Sequence, residues 1–234
     1  MNLFPVEFDP FLGVLGLTFL FWVTANVIQR YREIQAEKLA RLGRLWSGAE
    51  RIEDALAKLD GLPVPRELTG LFGTELLVRY RALEELVPKM EGLPERLADA
   101  QSRIKAGGQD PGWHAPQLND AAQVYRYMEG LTRMVDILEN VSLEERIEPV
   151  RARELREKIR VLRAETRWEN GRRRILAAGI LADWETARKE AVKVIAYLKR
   201  RAPRNQRGMA LYEEAEALLR LVALRRLPDE EGVR

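Results

Sequence analysis

The side chains best suited to chemistry in this sequence are two basic clusters. One is the run Arg172, Arg173 and Arg174; the other comprises Lys199, Arg200, Arg201, Arg204 and Arg207. Guanidinium groups stay charged and offer a planar fork of donors, so clusters of them suit carboxylates, phosphates or an anionic surface rather than covalent catalysis. With Asn170 and Gly171 read as a turn or helix stop, the two clusters bracket one helix and lie about 40 Å apart. They are then two contacts on an extended anionic partner, either nucleic acid or anionic lipid, or two independent solvated ends. Lysine and arginine at a helix C-terminus also offset its negative dipole end, which assigns part of the second cluster a structural role.

Covalent and metal chemistry finds little to work with. Cysteine is absent, so thiol nucleophiles and disulfides are excluded, and His114 is the only histidine. A lone histidine makes no metal site, and any His-based triad would have to use it. No phosphate-loop, dinucleotide, zinc-protease or nucleophile-elbow motif occurs. Glu84 and Glu85, Glu144 and Glu145, and Glu213 and Glu214 are paired carboxylates, but neighbours on a helix point about 100° apart and read as solvated faces. The expectation is a protein that is not an enzyme, with no catalytic residue, no cofactor and no metal. Trp113, beside His114 in the loop AGGQDPGWHAP, is the remaining candidate: either a loop contact for a partner or a pin holding the loop onto the protein.

The elements that must carry these residues begin with FLGVLGLTFLFWVTANVI, residues 11–28, an uncharged run followed by Arg30 and Arg32. As a helix it is roughly 27 Å long, close to the hydrocarbon thickness of a bilayer. A signal peptide would open on positive charge, whereas residues 1–10 hold Glu7 and Asp9 and no Lys or Arg. The stretch therefore reads as a transmembrane helix over residues 11–29 behind a short extracytoplasmic tail, 1–10. Arg30, Arg32, Lys38, Arg41 and Arg44 follow it, which places the bulk of the chain on the cytoplasmic side of the inner membrane by the positive-inside rule.

Beyond the span the expected fold is all-α: a single N-terminal transmembrane helix continuing into a cytoplasmic multi-helix bundle. Tyr31, Ile34, Lys38, Leu42, Leu45, Ala49, Ile52, Leu56 and Leu59 step by three or four residues. This stripe is either a coiled-coil seam for self-association or the face of a helix packed on its own domain; Leu39 and Trp46 widen it toward the second reading. Gly61-Leu62-Pro63 and Gly92-Leu93-Pro94 end helices. Residues 30–105 form a membrane-proximal helical subdomain, 106–118 a Gly/Pro-rich loop, and 119–227 a C-terminal helical subdomain before a frayed tail, 228–234.

Within the second part, Ser142 to Glu145 reads as a capping box that starts a helix near Leu143, and Pro149 kinks or restarts it. The helix from Arg151 carries Leu155, Ile159 and Leu162 as a thin apolar line and should be exposed over much of its circumference. From Arg151 onward there are 22 basic and 13 acidic residues, against 17 basic and 23 acidic before it. Opposite signs in the two parts imply mutual packing or an anionic partner for the basic part. The expected function is a membrane-anchored adaptor, scaffold or assembly subunit working through protein–protein contacts, with a homo-oligomer open. The alternative is a membrane-tethered binder of nucleic acid or anionic lipid.

Overall fold

The computed structural model describes residues 10–105, 112–118, 120–143 and 147–228; for residues 10–17 and 140–143 it describes the backbone only. Most of the expected N-terminal tail, residues 106–111 of the Gly/Pro-rich loop, Glu144 and Glu145, and nearly all of the expected frayed terminus lie outside these residues. The described residues form seven helices: α1 Pro10–Leu59, α2 Arg66–Leu86, α3 Leu93–Lys105, α4 Ala121–Leu143, α5 Pro149–Ile180, α6 Trp184–Arg201 and α7 Gln206–Ala223. No strand occurs among them. The fold is all-α, a multi-helix bundle.

The amphipathic stripe of α1 divides in two. Leu45, Ala49, Ile52, Leu56 and Leu59 are buried among α2 and α4, so the lower half packs on its own domain. Residues 18–41 are exposed without exception, Tyr31 and Ile34 included. Among the described residues no helix is long and apolar enough to cross a membrane. The first seven residues of the apolar run, 11–17, lie outside those whose side chains are described.

Of the two Gly-Leu-Pro turns only the first ends a helix as expected; α2 already stops at Leu86, ahead of Pro88, and not at Gly92. Gly61 and Gly92 adopt φ of 70° and 76°, the left-handed region that glycine enters without a Cβ clash. The second turn instead starts a helix, since α3 begins at Leu93, which is buried, with Pro94 in its first turn.

Three further sequence expectations are corrected. Ser142 does not open a helix: it lies in the last turn of α4, and the chain restarts at Pro149, where the missing N–H costs nothing. Gly171 is not a stop. It lies inside α5, where a Cβ would come within 2.2 Å of Val194 Cγ2; the glycine is there to let α6 approach. The break falls ten residues later, at Leu181 and Ala182, with Ala182 at φ 58° and the Asp183 carboxylate capping α6 through the Thr186 N–H at 3.1 Å.

The third correction concerns α5, which is the central helix rather than an exposed one. Ala152, Leu155, Ile159 and Leu162 join the apolar cluster built on α1, α2 and α4. Ala164, Trp168, Ile175 and Ala178 join a second cluster with α6 and α7. The polar residues that disguise this burial are satisfied internally. The Thr166 hydroxyl donates to the Leu162 carbonyl (2.7 Å), the Asn170 amide donates to the Thr166 carbonyl (2.8 Å), and Glu165 accepts from Arg207 (2.7 Å). The two apolar clusters thus meet inside α5, between Leu162 and Ala164, whereas the sequence reading divides the chain at the loop.

Candidate functional site

Because the chain turns at Leu181 rather than at Gly171, α6 runs back antiparallel along α5. Val194 then lies over Gly171, and Arg200 and Arg201 line the same hollow as Arg160 and Arg163. The expected separation of about 40 Å between the basic clusters is therefore not found. Along the helix axes the two runs are offset by only about two turns, on the order of 10 Å.

They open onto one groove. Helices α4 and α6 both pack on α5 but not on each other, leaving a channel whose floor is α5. At one end is a hollow of about 550 Å³ lined by α4 residues Val124, Tyr125 and Met128 and by Arg167, Arg173 and Arg174 of α5. One helical turn away, from Arg167 to Arg163, a second hollow of about 660 Å³ gathers Arg160, Arg163, Arg200, Arg201 and Arg204. Tyr197 stands at the junction: it lines the first hollow, and the Arg167 guanidinium lies 5.9 Å from its ring centroid. Burial pushes the Tyr197 phenol above its ordinary pKa, against the opposing pull of Arg163, Arg167 and Arg201.

The channel is positive on balance. The first hollow sets Arg167, Arg173 and Arg174 against Asp120; the second sets five arginines against Asp136, Glu139 and Glu157. Part of the charge is already paired. Arg160 meets Glu157 at 2.8 Å and Glu139 at 3.8 Å, and Arg174 meets Glu190 at 3.7 Å. The Nε atoms of Arg163 and Arg167 are buried without a hydrogen-bond partner. Arg173 and Arg204 are exposed.

The named basic residues thus divide. Arg207 is structural: it bonds Glu165 at 2.7 Å and reaches Glu214 at 3.5 Å, tying α7 to α5. Glu214 in turn accepts the Trp168 indole N–H at 2.9 Å, so it is not the solvated face expected of the Glu213–Glu214 pair. Arg200 donates to its own helix, at the Ala196 carbonyl. Lys199 and Arg204 border a further hollow beside Pro203 and Tyr212, and Arg172 is half-buried. Sequence reasoning missed Arg160, Arg163 and Arg167, although their spacing of three and four marks one helical face.

Trp113 is a pin. Its indole N–H donates to Glu67 at 2.9 Å, and the Lys158 ammonium lies 5.2 Å from its ring centroid. Glu67 also accepts from Arg151 and from Lys158, joining the loop, α2 and α5. Burial pushes the Glu67 carboxyl up, but hydrogen bonds from Lys158 and Trp113 and the nearby positive charges hold it below its ordinary value. His114, beside it, is exposed, and among the described residues no His, Asp and Glu side chains are grouped to hold a metal ion.

Comparison of the chain with protein-family models, curated proteins and solved structures finds no match.

Proposed function

We propose that this protein is a single-span membrane protein whose helical bundle, held on the cytoplasmic face, serves as an adaptor or assembly subunit by binding another protein. The observation that carries the proposal is the first half of α1. Every residue from 18 to 41 is exposed, yet Phe19, Leu20, Phe21, Trp22, Val27 and Ile28 are all apolar and more than half exposed. A helix built for water on all sides would not present such a surface.

A bilayer accounts for this part of α1 in detail. The uncharged run from 11 to 28 supplies the length. The Thr24 hydroxyl is satisfied within the helix by donating to the Leu20 carbonyl at 2.7 Å, as a hydroxyl in hydrocarbon must be. Trp22 and Tyr31 flank the cytoplasmic end, where amphipathic rings favour the headgroups, and Arg30 and Arg32 follow them. The continuous helix from Pro10 to Leu59 would then hold the bundle away from the membrane surface by several turns.

A reporter enzyme active only outside the cytoplasm, fused after Arg234, should be silent in cells, and the untreated protein should sediment with membranes. A strong reporter signal would overturn the orientation, and recovery in the supernatant without detergent would overturn the span. The basic groove favours a second reading, tethered binding of nucleic acid or anionic lipid. That reading requires affinity for DNA, RNA or anionic vesicles that falls steeply with salt.

A further inference from the structure

We infer that the groove between α4 and α6 is the docking site for an acidic, amphipathic helix of the partner protein. The inference rests on the protein-binding reading above and names the chemistry of the partner. Two helices flank a third without touching each other, so the space between them is bounded as a packed helix would be. From Arg160 to Arg174 the floor extends about 21 Å, the length of roughly 14 helical residues.

The lining selects the occupant. Leu118, Val124 and Met128 make one wall of the first hollow apolar, which asks for apolar side chains on one face of the guest. Arg163 and Arg167 lie one turn apart on the floor and Arg173 is exposed beside them, which asks for carboxylates on the facing side of the guest; Arg160 and Arg174 are already engaged by Glu157, Glu139 and Glu190. The Nε atoms of Arg163 and Arg167 are buried without a hydrogen-bond partner, so guest carboxylates would accept from the remaining guanidinium nitrogens of these side chains. A nucleic acid fits less well. The apolar wall of Leu118, Val124 and Met128 gives a phosphate backbone nothing to bind. Helix-in-groove recognition uses this combination of apolar anchors and charged rim.

The test places a photo-crosslinking residue in the full-length protein in its own host: Tyr125→p-benzoylphenylalanine at the mouth of the groove, and Val78→p-benzoylphenylalanine on the exposed face of α2 as the control. Tyr125 and Val78 are both exposed, so neither substitution disturbs the core. The expected result is a Tyr125-position adduct whose sequenced peptide alternates apolar and acidic residues at helical spacing, and which drops at least about tenfold on Arg173→Glu with circular dichroism unchanged. A nucleic-acid or lipid adduct at that position, or a protein adduct lacking acidic residues, overturns the inference. Protein adducts at the Val78 position alone would overturn the groove while leaving the adaptor reading standing; no protein adduct at either position would count against both.

Discussion

Gly171 shows how one missing methyl group sets a tertiary arrangement. A helix-interior glycine is a weakness in isolation, and beside Asn170 it has the look of a turn. Its Cβ position is occupied by Val194 Cγ2 at 2.2 Å, so the glycine is the contact point that brings α6 against α5. Gly171→Ala should destabilise the protein by about 1–3 kcal/mol through overpacking, despite alanine's better helix propensity. Urea unfolding measures this, and Val194→Ala in the same chain should recover part of the loss. If Gly171→Ala were stabilising, the close approach would be wrong. The same logic operates at Gly48, whose Cβ would meet the buried Arg79 side chain at 2.8 Å; there the glycine makes room for the Arg79–Glu75 ion pair.

Helix ends decide where the groove closes. The turn between α6 and α7 carries Arg204 at the groove's end and is held by two residues that cannot easily change. The Asn205 side chain accepts from the Gly208 N–H at 2.8 Å, and a Cβ on Gly208 would fall 2.0 Å from the Pro203 carbonyl oxygen. Asn205→Ala removes the cap of α7 and should cost about 1 kcal/mol. Chemical denaturation reads the loss, and Asn205→Asp, which keeps an accepting oxygen, should restore most of it. An Asn205→Ala chain as stable as the parent would show that the cap contributes nothing. By contrast α5 needs no such side-chain cap: Pro149 stands at its first turn, pre-set for helix by its ring.

The molecule as a whole consists of a helical mast and a bundle with two apolar clusters sharing α5. Among the described side chains of α1, none before Leu42 joins either cluster. A chain beginning at Gln29 should therefore keep the helical content per residue and the thermal midpoint of the bundle to within about 2 °C, a shift corresponding to about 1 kcal/mol or less. Circular dichroism measures both. A midpoint lowered by about 10 °C or more would mean that the apolar run packs on the bundle, and would remove the main support for the membrane reading.

The all-helical character, the glycine stop at Gly61, the burial of leucines at three- and four-residue steps, and the uncharged run at 11–28 are legible in the sequence itself. Each depends on local chemistry: periodicity, a left-handed glycine, an absence of charge. Asp183 as the true cap of α6 was also within reach, since Asp183 and Glu185 frame Trp184 as a helix start, but the more conspicuous Asn170-Gly171 drew the boundary away from it. What no local pattern contained was the burial of α5. Thr166 and Asn170 read as polar until their bonds to carbonyls one turn back are seen, and Gly171 reads as a stop until Val194 is placed beside it. Shifting that one break by ten residues folds α6 back along α5 and turns two distant charge clusters into the two ends of one groove. Tertiary structure decided this because helix propensity is worth only about 1 kcal/mol at a glycine, and the packing of a buried helix face outweighs it.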